Sequence, residues 1–175
     1  MALPDPRRDL SPACGWCRDP SMAEAVAAFF VANVDPSYIS HSELQFGRAA
    51  AADRWAEDLA ARVRGEAERA IAAPDRLTGQ RLALMRRGGS LHGLAFVSIN
   101  DAAPRPFATL DDLVIDRDGR GAGGGGVLLD WVAAQCRTAG CSRLFLESGL
   151  HNARAHHFFE RRGFVQTSIV MARDL

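Results

Sequence analysis

The residues best equipped for chemistry crowd into the second half of the 175-residue chain. Two adjacent carboxylates, Asp111 and Asp112, interrupt the apolar run Leu110-Asp111-Asp112-Leu113-Val114-Ile115. A carboxylate in such surroundings can take a proton from an attacking group. If the run is a strand, the two side chains point to opposite faces, so at most one meets a substrate directly. Three histidines follow, His151, His156 and His157. They read most simply as a polar helix face, and no metal is expected, because no carboxylate or third ligand stands at matching spacing.

Between these groups lies Arg120-Gly121-Ala122-Gly123-Gly124-Gly125-Gly126, with an apolar run before it and Val127-Leu128-Leu129 after it. Glycines let the main chain approach a ligand and adopt positive φ. Free N–H groups at a helix start face an anion, aided by the helix dipole. Arg120 adds a planar fork suited to phosphate. The expected product is a phosphate or pyrophosphate cradle. A flexible linker is the bland alternative, and four successive glycines would be a poor start for a purely structural helix. A P-loop requires Gly-Lys-Ser/Thr, and all 21 basic residues are arginine. Gly121-x-Gly123-x-x-Gly126 also fits a dinucleotide fingerprint, with Glu147 about 20 residues on. Asp116 to Arg120, intervening between strand and loop, count against that reading. So does the expected meander upstream, where a βαβ half would be required.

There are four cysteines, Cys14, Cys17, Cys136 and Cys141. Cys14-Gly15-Trp16-Cys17 is a C-x-x-C pair open to redox or zinc chemistry. Its flanks show no strong strand, and Cys136-x4-Cys141 is a poor second half for zinc, so ordinary half-buried thiols are the favoured reading.

The elements that must position these groups follow from periodicity. Ser21 reads as an N-cap, with Glu24 at the capping-box position, of a helix ending near Asn33. A second helical stretch is expected from about Ser42 to Ala73, closing at Pro74, with a break near Gly47 or Gly65. Gln80–Arg86 and Leu91–Asn100 read as a hairpin. Ala108–Ile115 is a third strand, Gly124–Thr138 a helix ended by Gly140, and Ser142–Ser148 a strand. Asn152–Arg162 is a helix stopped by Gly163, and Phe164–Arg173 a final strand. The order αα-βββ-α-β-α-β defines an α/β domain with a mixed sheet.

Composition sets outer limits. With 47% hydrophobic residues the chain is not disordered. A formal net charge of zero gives no general attraction to nucleic acid or anionic lipid. No apolar run approaches the roughly 20 residues that span a bilayer, and Met1 to Leu10 lack a signal-peptide core. The expectation is a cytoplasmic protein with neither nucleic acid nor membrane as partner. The zero is a sum of opposites. Met1 to Asp116 carry 13 arginines and 16 acids, while Arg117 to Leu175 carry 8 arginines and 5 acids. The glycine loop falls in the basic part.

Three motifs together resemble the GNAT N-acetyltransferase superfamily. Arg120-Gly121-Ala122-Gly123-Gly124-Gly125 fits its R-x-x-G-x-G/A loop, and Leu110–Ile115 resembles the Leu-Glu-Asp-Phe/Leu strand of its small-molecule acetyltransferases. Asn152-x-x-Ala155-x-x-Phe158-Phe159-x-x-x-Gly163-Phe164 resembles its Asn-x-x-Ala-x-x-Phe-Tyr-x-x-x-Gly-Phe helix. The resemblance covers Gln80 to Leu175 well, and residues 1–75 only as a generic helical opening. It implies one N-acetyltransferase domain over residues 1–175, with a mostly antiparallel sheet in which parallel strands 108–115 and 142–148 splay apart.

The resemblance further implies acetyl-CoA as co-substrate, with no metal. Its pantetheine arm would pair with main-chain groups of Leu113, Val114 and Ile115. Its pyrophosphate would lie on Arg120, Gly121, Ala122, Gly123, Gly124, Gly125 and Gly126, and Asn152 and Phe159 would flank the thioester end. Asp111 takes the base position, with Asp112 as second candidate. The family tyrosine that protonates the leaving thiolate aligns with Phe159, which carries no proton to give. Either the thiolate leaves unassisted, or His156, on the same helix face, or Tyr38 serves instead. Between the first two helices, Tyr38, His41 and Glu43 either bind a cationic amine acceptor or form a capping turn. The implied activity is acetyl transfer to a small-molecule primary amine by direct attack in a ternary complex, with a homodimer as the family's common assembly. The alternative is an acyl-CoA-binding protein without catalysis.

Overall fold

The computed structural model describes residues 11–73 and 79–173. Contacts divide the chain into two compact units, Met1–Val34 with Ala60–Leu146, and Asp35–Leu59 with Glu147–Leu175.

The first unit is built on a five-stranded sheet in the order β1-β4-β5-β6-β7. Its strands are β1 (Ala13–Trp16), β4 (Gly79–Arg87), β5 (Ser90–Asn100), β6 (Phe107–Ile115) and β7 (Arg143–Leu146). All neighbours are antiparallel except β6 and β7, which are parallel. Gly93 to Val97 of β5 are buried without interruption, as a central strand covered on both faces requires. Helices α1 (Met22–Asn33) and α4 (Gly124–Thr138) both pack on β5 and β6. A β-carbon on Gly93 would stand 2.8 Å from Ile115 Cδ1 and 3.3 Å from Leu128 Cδ2, so only glycine admits α4 this close to the sheet. Val26 and Phe30 of α1, Leu82, Leu94 and Phe96 of the sheet, and Leu128 and Val132 of α4 are fully buried.

Several elements differ from the sequence reading. β1 was not expected. It is four residues long, too short to show alternation, and it exists through its ladder with β4. Ser21 does not cap α1: its own backbone is helical and its side chain makes no cap bond. Asp19 does that work, accepting from Ser21 N–H at 3.0 Å and Ser21 Oγ at 2.7 Å. Glu24 closes no capping box at this end, and its carboxylate instead meets Arg64 at 3.5 Å. The long second helix breaks at the earlier of the two expected glycines. Gly47 takes φ +77° and ends α2 (His41–Gln45). Alanine-rich β2 (Ala49–Ala51) pairs with β3 (Arg54–Trp55), and α3 (Leu59–Ala72) follows. Alanine's helix propensity was overridden there by strand pairing. The expected close at Pro74 lies outside the described residues.

The second unit holds a 3-10 turn (Pro36–Tyr38), α2, the β2–β3 hairpin and α5 (Ala153–Glu160). Asn152 caps α5, its side chain accepting from Ala155 N–H at 3.1 Å. Gly163, at φ +82°, closes it, with Phe164 N–H returning to Phe159 O at 3.1 Å. The expected strand Phe164–Arg173 is absent, since no ladder forms along it. Val165, Ile169 and Met171 are 78%, 87% and 90% exposed. The apolar, β-branched residues suit a strand, but Gln166-Thr167-Ser168 interrupt the alternation, and a strand exists only through its pairing.

Candidate active site

In the first unit, β6 carries the two carboxylates and leads into the glycine turn. Consecutive β5 residues Phe96 and Val97 face Asp112 and Leu110, leaving Asp111 as the extra residue of a bulge. Asp111 is half-buried and its Oδ2 accepts from Ser98 Oγ at 2.6 Å and Gln80 Nε2 at 3.0 Å. Asp112 is 2% exposed. The two carboxylates therefore differ in environment, one reachable and one enclosed. Nothing in the spacing of Gln80 and Ser98 announced them as partners of Asp111.

Parallel pairing with β7 ends at Leu110–Leu146, while β6 runs on to Ile115. Asp111 to Ile115 thus leave the side toward β7 unpaired by that strand. This is the expected splay: Leu113, Val114 and Ile115 lie on the part of β6 that runs on past its pairing with β7.

The glycine turn follows after Asp116 to Arg120. Gly121 and Gly123 hold φ +89° and +86°, and nothing lies within 4 Å of where their β-carbons would stand. Gly123 is the N-cap of α4 and offers no side-chain bond to its first turn. Gly121, Ala122 and Gly123 are exposed. An open, positively polarised helix start without side chains fits an anionic diphosphate. Arg120 stands at its entrance, with Nη2 donating to the main-chain carbonyl of Asn33. The upstream strands form the β4–β5–β6 meander, not the βαβ half a dinucleotide fold needs.

In the second unit, Ser40 and Glu43 form a capping box on α2. Glu43 Oε2 accepts from Ser40 N–H at 2.7 Å and Ser40 Oγ at 2.6 Å, and Glu43 is buried. That is the capping role foreseen as one of two readings for Glu43. Tyr38 is half-buried, its ring 6.2 Å from that of Trp55. His41 is exposed and its Nδ1 meets Glu147 Oε1 at 2.6 Å. Glu147 also accepts from Ser42 N–H and Oγ, each at 3.3 Å. Burial acts to raise the Glu147 pKa, but the donors of Ser40 and Ser42 and the neighbouring His41 outweigh it and hold the carboxyl below its ordinary value. From the sequence, Glu147 stands out only as the acid of a dinucleotide fingerprint. Its place at the end of a strong strand was the signal available.

His156 lies half-exposed on α5, and Phe159 stacks edgewise on Phe158 at 5.1 Å and Phe164 at 5.5 Å. Cys14 and Cys17 are half-buried and buried, and burial raises both thiols. That is the reverse of the stabilised thiolate a redox pair needs. Among the described residues no group of three or more His, Cys, Asp or Glu could hold a metal ion, and no helix is long and apolar enough to cross a membrane.

The sequence model of the Acetyltransferase (GNAT) family matches residues 44–164, and the chain belongs to that family. A search of curated proteins finds no match. Among solved structures, a tetramutant of protein BH1408 from Bacillus halodurans aligns with a TM-score of 0.72 at 12% identity, covering 93% of this chain and 99% of that one. The ribosomal-protein-alanine N-acetyltransferase of Brucella melitensis biovar Abortus 2308 gives 0.63 at 12%, covering 94% and 100%. A Trypanosoma brucei acetyltransferase gives 0.59 at 19%, also covering 94% and 100%. These likenesses are of fold.

Proposed function

We propose that the whole chain works as one N-acetyltransferase domain, moving the acetyl group of acetyl-CoA to a primary amine of a small molecule in a ternary complex. The observation that carries this reading is the juxtaposition within one unit of a β6 strand that runs on past its pairing with β7 and a glycine turn with no side-chain cap at the start of α4. In it, Leu113, Val114 and Ile115 pair with the pantetheine arm, and Arg120 with Gly121 to Gly126 hold the pyrophosphate. Acetyl-CoA supplies an activated thioester. Asp111, rather than enclosed Asp112, takes the proton that the amine must lose, directly or through water. The N–H of Leu113 polarises the carbonyl. Asn152 and Phe159 serve the thioester end, and Tyr38 and His41 serve a cationic acceptor, with buried Glu43 holding the α2 start between them through its capping box.

Phe159 cannot protonate a thiolate. A thiol with pKa near 8.5 leaves without assistance at neutral pH, so loss of the tyrosine need not abolish turnover, and His156, three residues before Phe159, is the substitute acid proposed. The same phenylalanine favours a second reading, an acyl-CoA-binding protein that does no chemistry. Free-thiol detection with acetyl-CoA and a broad amine panel decides between them. Thiol release with one amine class establishes transfer and names the acceptor. Binding of acetyl-CoA without thiol release from any amine supports the second reading. The protein is expected to act in the cytoplasm and to form a homodimer, which sedimentation would test.

A further inference from the structure

Helix α1 ends without a basic residue in its last turn, so nothing within the helix answers the negative end of its dipole. The charge comes from the turn after β6. Arg117 Nη2 donates to Val34 O at 2.7 Å, and Arg120 Nη2 donates to Asn33 O. Between them stands the Asn33 side chain, in a residue only 7% exposed. Its Nδ2 donates to Phe29 O at 2.8 Å, and its Oδ1 accepts from Arg117 N–H at 2.8 Å. A neutral amide does both at once. An aspartate keeps the acceptor and loses the donor, and an alanine loses both.

We infer that Asn33 is a positioning residue for phosphate binding: it anchors the turn that delivers Arg120 and the glycine N–H groups. This rests on the acyl-CoA reading above. The turn is tied to α1 at Arg117 and again at Arg120. Between those ties it is closed by Gly119 N–H to Asp116 O at 3.1 Å and Arg120 N–H to Arg117 O at 3.3 Å. Beyond Arg120 the chain has almost no side chains of its own with which to dock. Where Gly121 and Gly123 present their N–H groups is therefore set by the last anchored residues upstream, by the Ala122 N–H bond to Gly119 O at 3.3 Å, and by the α4 packing downstream. Arg120 has five N–H donors in a planar fork, and its bond to Asn33 fixes the fork's direction.

The test compares acetyl-CoA with S-acetylpantetheine, which has the thioester arm but no phosphates, by direct binding to the full chain. Asn33→Ala is expected to weaken acetyl-CoA about tenfold and to leave S-acetylpantetheine unchanged. Asn33→Asp, which keeps the acceptor facing Arg117 N–H, is expected to recover most of the loss. Unchanged acetyl-CoA affinity, or equal weakening of both ligands, overturns the inference. A wild-type chain that binds neither ligand sinks the acyl-CoA reading itself, a result distinguishable from failure of the variant alone. Should Asn33→Ala not fold, hydrogen exchange on the wild type decides. Slower exchange of the Arg117 amide with CoA but not with pantetheine supports the role, and exchange indifferent to CoA overturns it.

Discussion

His41 Nδ1 and Glu147 Oε1 lie 2.6 Å apart, joining the first residue of α2 to a residue 106 positions later in the chain. The Glu147 carboxyl is depressed below its ordinary pKa. Its contribution to stability is therefore present above the unfolded-state value, about 4.3, and is lost as pH falls through the lower folded value. Both side chains are partly exposed, at 47% and 34%, so the pair is worth about 0.5–1 kcal/mol. Glu147→Gln should destabilise by that amount at pH 7 in urea melts. The gap from wild type should close once the pH is below the folded pKa of Glu147. A gap that persists there would assign the effect to lost packing.

Arg120→Ala should raise KM for acetyl-CoA tenfold or more, because charge-assisted bonds to phosphate are worth about 1.5–3 kcal/mol. Steady-state kinetics at saturating amine measures it, and an unchanged KM would remove Arg120 from the phosphate site.

Asp111→Asn keeps the shape and an acceptor for Ser98 and Gln80 while removing the base. The rate should fall about 100-fold at low pH, where the amine is most protonated, and the deficit should narrow as pH rises. A pH profile parallel to wild type would exclude Asp111 as proton acceptor.

Gly149→Ala would bring a β-carbon within 2.5 Å of Ile39 O and 2.7 Å of Ser37 O, both main-chain atoms with little freedom to move. A loss of about 1–3 kcal/mol is expected in urea unfolding. Gly65→Ala, inside α3, meets only the flexible Arg69 guanidinium at 3.4 Å. It should stabilise by up to about 1 kcal/mol. The two substitutions are chemically identical and should differ in sign.

The core of the fold was legible where local pattern and final pairing agree. The β4–β5 hairpin, β6 and α4 all carry periodic apolar residues bounded by glycines or polar turns, and they stand within a residue or two of where periodicity put them. The glycine turn was legible because positive φ demands glycine. What escaped depends on partners distant in sequence. Strand β1 exists through β4, and Asp111 meets Gln80 and Ser98 from other strands. Asn33 matters through Arg117 and Arg120, which lie more than 80 positions away. The Ala49–Ala51 strand was misread because alanine is helix-prone in isolation, and Phe164–Arg173 because composition alone cannot supply a neighbouring strand.

The bare segment after α5 has a bearing on how the protein behaves in a tube. Val165, Ile169, Val170 and Met171 present apolar surface to water in a chain whose isoelectric point is about 7.0. Near neutral pH the molecules carry no net charge to hold them apart while this sticky strip is on display. Turbidity and light scattering should peak close to pH 7 and subside one or two units to either side. Concentrated stocks should keep best in mildly alkaline buffer.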